Sequence, residues 1–247
     1  MKKSIICKGC WIQIHMPVAI RGPLSIPFRL FGVKPSRMNP NLCTICEETP
    51  RFLEFFVKGK KNKPMPATVL FADIRGYTDL SQALDHPGLT NLLSNFYEHC
   101  SSVVWEGDGI ISKLIGDAVL AIFNFPITRT DHVKQAVLSG IELQKKCKEM
   151  KARLKEQTEE EISIGVGVGI HTGDVFIGDI GKACRDFTVV GDVVNLAARL
   201  QEVANPCEVL LSENVYRFVK DDFPVAESRV CTLKGIKDPV TVYALEG

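Results

Sequence analysis

Two apolar runs that meet at a glycine–aspartate pair constrain the fold of this chain most strongly. The segment KLIGDAVLAIF (113–123) is apolar except for Lys113 at its start and Asp117 in its middle. A Gly-Asp pair between two apolar runs is typical of a β-hairpin turn. A carboxylate inside a buried segment is costly unless something compensates it, whereas a carboxylate at a turn can leave the core. The pattern therefore predicts a hairpin with Asp117 at its turn.

The segments around the hairpin predict an α+β fold. ATVLFADI (67–74) predicts a buried strand, and amphipathic helices are predicted before and after the hairpin. ISIGVGVGIHTG and DVFIGDIG predict a second strand pair, followed by a short strand, a helix over 192–204 and a last β-α-β-β part. The order β-α-β-β-α-β favours a ferredoxin-like sandwich with helices on one face of an antiparallel sheet.

The glycine alternation GVGVG within this pattern needs a separate interpretation. It lacks the strand–turn–helix context, with an acidic residue further on, of a dinucleotide-binding fingerprint. We interpret these glycines as strand positions at which another backbone approaches closely.

Charge and proline content divide the 247-residue chain near Pro64–Pro66. Residues 1–66 hold 12 Lys/Arg, 3 Asp/Glu and eight of the 13 prolines, whereas the remainder holds 18 Lys/Arg and 26 Asp/Glu. We expect a small basic, Cys/Pro-rich N-terminal module at 1–57, a linker at 58–66 and a large domain at 67–247. The basic module could meet an anionic partner, such as a membrane surface or a nucleic acid, or dock on the acidic remainder.

The cysteines and the apolar stretches favour a cytoplasmic protein. Uncharged stretches reach only about 12 residues, which is too short to span a bilayer. The start, MKKSIICKGCW, has no uninterrupted apolar run, which argues against a secretory signal. Of the nine cysteines, five are scattered through the large domain, and without such a signal we expect these five to be reduced: Cys100, Cys147, Cys184, Cys207 and Cys231.

Four of the cysteines form two CxxC pairs, Cys7 with Cys10 and Cys43 with Cys46. Two such pairs in a cytoplasmic chain indicate a structural metal site, either tetrahedral Zn²⁺ or an iron–sulfur cluster. The 32 residues between the pairs exceed the usual zinc-ribbon spacing, so a redox-active dithiol and unliganded thiols stay open, as does His15 as a substitute ligand. A short, proline-rich segment would struggle to build a core alone, which favours a metal staple.

Two aspartates at strand ends form the first candidate site. Asp73 ends the predicted strand in FADIRGYT, and Asp117 lies at the hairpin turn, so the β-α-β order allows the two carboxylates to meet at one sheet edge. Two divalent ions would relieve their repulsion and create a phosphoryl-transfer site. The backbone N–H groups of Gly76, Tyr77 and Thr78, at the start of a helix, could cradle a triphosphate. By spacing alone, caps and turns explain such aspartates equally well.

The helix predicted over 192–204 offers a second candidate site. Val193, Leu196, Ala197 and Leu200 share one face, and Asn195 and Arg199 share the opposite face. An amide and a guanidinium one turn apart could hold a sugar and a phosphoryl oxygen. A solvated polar stripe is the alternative interpretation.

Four segments together resemble the catalytic domain of class III nucleotidyl cyclases. They follow the family's order over roughly residues 67–246, and they read FADIRGYT, KLIGDAVLAIF, GVGIHTGDVFIGDIG and DFTVVGDVVNLAARL. Their joint occurrence is far more specific than any one motif. The resemblance implies a ferredoxin-like cyclase catalytic domain, in which the ribose 3′-hydroxyl attacks the α-phosphate and pyrophosphate leaves.

The resemblance also implies residue roles and an assembly. Asp73 and Asp117 match the family's ligands for two Mg²⁺ or Mn²⁺ ions, with the Ile74 carbonyl as a further ligand. Lys113 and Thr188 match the pair that reads the base, and Asn195 matches the amide that orients the ribose. Arg199 matches the guanidinium that stabilises the transition-state phosphorane, and Lys234 matches a lysine that binds the polyphosphate. In the family two chains pair head to tail, so that the aspartates of one chain face the Lys, Thr, Asn and Arg of its partner.

Base choice can be predicted from hydrogen bonding. Adenine N1 is an acceptor, and the ammonium of Lys113 carries only donors, whereas the protonated N1 of guanine favours a carboxylate. The hydroxyl of Thr188 can donate or accept and is less decisive. We therefore predict an adenylate cyclase that acts on ATP as a homodimer with shared active sites. A guanylate cyclase and a catalytically weak or silent nucleotide sensor or regulatory protein are the alternatives.

Overall fold

The computed structural model describes residues 4–47, 64–157, 165–180, 186–224 and 226–246. The predicted linker at 58–66 lies for the most part outside these ranges, so the proposed division at 57 and 66 stays a prediction. Among the described residues, no helix is long and apolar enough to cross a membrane.

A twisted sheet of eight strands forms the centre of the molecule. Seven strands follow the order β2-β3-β1-β4-β6-β8-β7, and β5 pairs with the end of β4. The strands are β1 (Met65–Arg75), β2 (Ile110–Ile115), β3 (Ala118–Phe123), β4 (Gly165–Ile180), β5 (Asp186–Val190), β6 (Glu208–Ser212), β7 (Glu227–Cys231) and β8 (Val240–Glu246). The predicted βαββαβ order and the hairpin formed by β2 and β3 are confirmed.

Strand β4 corrects two details of the predicted sheet. It is one continuous strand of 16 residues, not the predicted pair, because it pairs with β1 along 165–175 and with β5 along 176–180. Its backbone groups thus find partners along its whole length, and a turn at Gly173 is not needed. The sheet is also not purely antiparallel, since β4 and β6 are parallel.

Helices cover both faces of the sheet, whereas the sequence predicted them on one face. Leu70, Ala72 and Ile74 of β1 point to one face, where they join a core with three helices, α5 (His86–Glu106), α6 (His132–Gln157) and α8 (Glu213–Val219). Val69 and Phe71 point to the other face, where α7 (Asp192–Val203) and the N-terminal segment pack. Successive residues of β1 are buried on both faces of the sheet, without the alternation of buried and exposed residues that a sheet covered on one face would show.

Glycine in β4 sets the position of α7. A Cβ atom on Gly169 would overlap the backbone carbonyl oxygen of Ala197 and the backbone nitrogen of Gln201. The helix therefore lies directly on the strand backbone, as expected for glycines that allow close approach. This confirms the interpretation of GVGVG for Gly169 and fixes which side of α7 faces the sheet, whereas a Cβ atom on Gly167 would meet the Arg75 side chain.

The described N-terminal residues, 4–47, lie on the same face as α7. They include three short helices, α1 (Lys8–Ile14), α2 (Ile26–Leu30) and α3 (Thr44–Glu47). Val18, Ile20 and Leu42 share a core cluster with β1, β2 and β3. The described N-terminal residues therefore contribute side chains to the core on the second face of the sheet.

Candidate functional site

The β2–β3 hairpin and the end of β1 bring two carboxylates together. Gly116 has φ of 60°, and with Asp117 it forms the turn between the paired residues Ile115 and Ala118. Asp73 pairs with Ala118, the residue directly after Asp117. The predicted meeting of Asp73 and Asp117 at one sheet edge is thus found in the structure.

The environment of Asp73 is unfavourable for a lone negative charge. Burial and the neighbouring carboxylate of Asp117 raise the pKa of Asp73 to about 6, although Gln201 and Arg75 act in the opposite direction. The Gln201 side chain donates a 2.9 Å hydrogen bond to Asp73 Oδ2, and Arg75 Nη1 lies 4.0 Å from the same oxygen. Two neighbouring carboxylates that repel each other are a suitable set of ligands for hard divalent cations such as Mg²⁺ or Mn²⁺, because the cations compensate their negative charge.

The chain leaves β1 through the predicted RGYT turn. Gly76 has φ of 75° and precedes a seven-residue helix, α4 (Tyr77–Ala83). Thr78 is exposed, whereas the side chain of Ile74 is buried in the core. The backbone at Gly76, Tyr77 and Thr78 thus lies immediately after Asp73, where the sequence placed a phosphate cradle.

Tyr97 of α5 supports the hairpin turn from the other side. Its hydroxyl donates a hydrogen bond to the Gly116 carbonyl oxygen. Burial, Tyr77 and Asp117 raise the pKa of Tyr97, so the phenol stays protonated and can donate. This contact helps to fix Asp117 relative to Asp73.

The predicted base-reading residues lie on two neighbouring strands. Lys113 lies on β2 next to an irregularity in its pairing with β3, and Thr188 lies on β5 opposite Gly178. Strand β5 contacts β2, and the ring of Phe187 on β5 lies 5.8 Å from the ring of Phe125, which follows β3. The strands that carry Lys113 and Thr188 are therefore in contact within one chain.

Helix α7 places Gln201 on its buried side and places Asn195 and Arg199 on other sides. Of the predicted apolar face, Val193, Ala197 and Leu200 are buried and Leu196 is half-buried, and Gln201 is buried beside them. Asn195 is exposed, and the half-buried Arg199 pairs with Glu202 one turn further on. At about 100° per residue, Arg199 lies about 160° and Asn195 about 120° around the helix from Gln201, so neither shares the side of α7 that faces Asp73.

Lys234 lies far from the aspartates within the chain. It is exposed in the connection between β7 and β8, next to Gly235 with φ of 81°. Because β8 is antiparallel to β6, and β6 is parallel to β4, this connection opens at the sheet end opposite to Asp73. The structure does not bring Lys234 to the aspartate edge.

Sequence analysis missed Gln201 and Arg75. Besides its contact with Asp73, Gln201 accepts a hydrogen bond from Arg75 through its backbone carbonyl. Gln201 follows Val193 and Ala197 at the spacing of the buried face, and a polar residue there was the available signal. It indicates a side chain with a buried partner.

The four CxxC cysteines come together in the N-terminal segment. Their sulfur atoms all lie within 4.8 Å of one another, and all four residues are buried. His15 is exposed at the end of α1 and lies outside this cluster.

Comparison with known proteins identifies the family. Residues 60–247 match the model of the adenylate and guanylate cyclase catalytic domain. The chain belongs to this family. The cyclase domain thus accounts for the whole sheet and for every candidate residue outside the N-terminal cysteines.

Individual relatives include both kinds of cyclase. The chain is 34% identical over 155 residues to an adenylate cyclase of Anabaena cylindrica, which covers 61% of this chain and 30% of the relative. The crystal structure of the adenylyl cyclase CyaB from P. aeruginosa matches with a TM-score of 0.68 and 31% identity, over 75% of this chain and 95% of that one. The guanylyl cyclase Cya2 matches with the same TM-score and 27% identity, over 75% and 93%.

These comparisons support the fold and the family and leave the nucleotide open. The chain spans about a third of the length of the first curated relatives it matches. The ferredoxin-like cyclase fold expected from the resemblance is confirmed.

Proposed function

We propose that this cyclase domain converts ATP to 3′,5′-cyclic AMP and pyrophosphate at a site shared between two chains. One observation carries the proposal. Helix α7 places Gln201 beside Asp73 and places Asn195 and Arg199 on other sides of the helix, which supports a site whose two halves come from different chains. A head-to-tail partner supplies the missing half of each site.

The aspartate half is suited to hold divalent cations. Asp73 and Asp117 would bind Mg²⁺ or Mn²⁺, with the Ile74 carbonyl as a further ligand. When bound, such ions activate the attacking hydroxyl and neutralise charge on the phosphates. The backbone N–H groups at Gly76, Tyr77 and Thr78 would hold the phosphate chain beside them.

The outward half is suited to hold the nucleoside and the developing charge. The Asn195 amide would orient the ribose, so that its 3′-hydroxyl lies in line with the α-phosphate. The Arg199 guanidinium would stabilise the negative charge that develops on the phosphoryl oxygens. In the resting chain Glu202 holds Arg199, and substrate phosphate would replace this exposed partner. Lys234 stays a more distant candidate for the polyphosphate.

Lys113 supports ATP as the nucleotide. Its ammonium group would donate to adenine N1, whereas guanine N1 carries a proton and offers no acceptor at that position. Thr188, on the adjacent β5, can complete the recognition of the base with its hydroxyl. GTP is the alternative substrate, and the similarity to the guanylyl cyclase Cya2 supports it.

Exposed apolar side chains surround the outward half and support a homodimer. They lie next to Lys113 and Thr188 on β2, β4 and β5, and each is 45–51% exposed: Leu114, Ile115, Phe176 and Val190. Burying such side chains against a second copy stabilises an assembly, because it removes apolar surface from water. The same contact would bring Asn195 and Arg199 to the partner's aspartates.

Product analysis tests this function. Purified protein with Mg²⁺ or Mn²⁺ should form cyclic AMP from ATP and far less cyclic GMP from GTP. Asp117→Asn should lower turnover by about a thousandfold, because metal assistance is worth several kcal/mol. Asp221→Asn, on the exposed turn after α8, is the matched control and should retain wild-type turnover.

Each alternative has its own outcome in this experiment. Preferred formation of cyclic GMP would establish a guanylate cyclase and contradict the role of Lys113. Nucleotide binding without product from either substrate would establish a silent sensor. Substantial turnover by Asp117→Asn at saturating metal would contradict the metal-binding role of the aspartates.

A further inference from the structure

We propose that Cys7, Cys10, Cys43 and Cys46 bind one zinc ion, and that this ion fastens the N-terminal segment to the start of β2. The site lies outside the cyclase machinery and does not depend on its activity. Sulfur geometry, burial and the contacts of the segment support it independently.

The sulfur positions fit a single tetrahedral ion. Four of the six Sγ–Sγ distances are 3.5 Å for Cys7–Cys46 and Cys10–Cys43, 3.6 Å for Cys10–Cys46 and 3.8 Å for Cys43–Cys46, and the other two are within 4.8 Å. Four ligands placed about 2.3 Å from a central ion form a tetrahedron with edges of about 3.8 Å. The cluster is therefore close to the size that one ion requires.

Other uses of the four thiols fit this geometry less well. A four-iron cluster binds each thiolate to a different iron, which needs sulfur atoms spread around the cluster and not packed against one another. A disulfide needs an S–S distance of about 2.05 Å. An all-thiolate tetrahedral site favours zinc, which needs no particular redox state.

The surrounding residues are arranged around the cluster. Relative exposure of the four cysteines is 0–3%, so a bound ion would be shielded from water. The Cys10 backbone N–H donates to Cys7 Sγ at 3.5 Å, which supports a thiolate at the start of α1. Gly9 leaves room for the cluster, since a Cβ atom there would lie 2.7 Å from Cys46 Sγ.

The residues beside the cysteines hold the turn that leads into β2. Lys8, next to Cys7, pairs with Asp108, which also accepts a 2.6 Å bond from Arg129. The side chain of Asn39 donates to the Gly109 carbonyl oxygen at 2.8 Å. These contacts tie both CxxC regions to residues 108 and 109.

The same segment also supplies partners for an edge strand. Strand β2 lies at one end of the sheet order, and the Ile111 N–H donates to the Met38 carbonyl oxygen at 3.0 Å. The Trp105 indole donates to the same oxygen at 2.6 Å. Loss of the ion would release the segment and expose the edge of the strand that carries Lys113.

Metal analysis of the full chain tests the site. Protein purified without chelators should contain about one zinc per chain and no acid-labile sulfide. Cys43→Ser with Cys46→Ser should lose the zinc, while Cys207→Ser with Cys231→Ser, two cysteines outside the cluster, should retain it. Absence of zinc from the wild type, iron in its place, or zinc retained by the Cys43/Cys46 variant would overturn the proposal.

A second measurement keeps the proposal testable if the double variant does not fold. Wild-type protein grown with Co²⁺ should show the absorption bands of a tetrahedral tetrathiolate site, and their absence would overturn it. After zinc is removed by a chelator, hydrogen exchange should accelerate at residues 108–113 and stay unchanged in β6. Unchanged exchange at 108–113 would contradict the fastening role.

Discussion

The two halves of the candidate cyclase site differ in how far one chain completes them. The aspartate half is held from several sides: the Gln201 side chain donates a hydrogen bond to Asp73, and the Tyr97 hydroxyl donates one to the carbonyl oxygen of Gly116, next to Asp117. The outward half is exposed, and its guanidinium is held by Glu202 on the same helix. One half thus offers carboxylate ligands for cations, and the other offers an exposed helix face to a partner.

This difference shows how a single helix can serve two sites. Gln201, on the buried side of α7, supports the aspartates of its own chain. Asn195 and Arg199, on the outer side, are free of the core and available to a partner. Variants on the two sides of α7 should therefore fail in different ways.

The largest effect is expected from the outer side. Arg199→Ala should lower turnover by about 10²–10³-fold, because it removes a donor to the charge that develops in the transition state. Glu202→Gln is the matched control: it removes only the exposed partner of Arg199 and should leave turnover unchanged or raised. Steady-state kinetics of both variants check this, and equal losses in both would contradict the role of Arg199.

A smaller and different effect is expected from the inner side. Gln201→Ala removes the donor that orients Asp73, and such supporting contacts typically change metal affinity by about 10–100-fold. The Mn²⁺ concentration for half-maximal activity should rise, with turnover largely restored at saturating metal. Arg199→Ala should leave that concentration unchanged. A metal requirement that shifts in both variants would remove the distinction between the two sides of α7.

The smallest effect on activity at neutral pH is expected in the scaffold beneath both halves. His171 of β4 pairs with Ser212 Oγ at 2.7 Å, and burial lowers its pKa from 6.5 to about 4. Between pH 6.5 and 4, His171 therefore binds a proton in the unfolded chain but not in the folded chain. The free energy of unfolding falls as pH falls through this range. The loss attributable to His171 is about 3 kcal/mol.

Denaturant unfolding of His171→Gln and wild type at several pH values measures this loss. The variant should lose less stability than wild type between pH 6.5 and 4, and its cyclase activity at neutral pH should stay near that of wild type. Parallel curves for the two proteins would contradict the assignment to His171.

Local features of the fold could be predicted from the sequence because neighbouring residues determine them. The Gly116-Asp117 turn follows from two apolar runs that can pair only as a hairpin, and the two faces of α7 follow from its helical period. The break predicted within β4 was wrong because partners on β1 and β5, distant in sequence, continue the strand.

Features that depend on distant packing could not be predicted in the same way. Covering the second face of the sheet requires knowing where the N-terminal segment lies, and its proline-rich sequence has no period that would place it. Gln201 was missed for a similar reason, since its partner Asp73 is 128 residues away. The candidate residues were found because they form ordered motifs, whereas the residues that hold them are scattered.

Mixed dimers test the shared site most directly. One variant carries Asp73→Ala with Asp117→Ala, and the other carries Asn195→Ala with Arg199→Ala, so each homodimer has two broken sites. In a mixed dimer both defects fall in one site, because each chain lends its aspartates to one site and its α7 to the other. The second site is then wild type.

Co-expression of the two variants, with separate tags to verify mixed dimers, gives the measurement. Random mixing makes roughly half of the dimers mixed, each with one intact site of two, so activity should recover to roughly a quarter of wild type while each variant alone stays inactive. Verified mixed dimers that remain inactive would contradict the shared site.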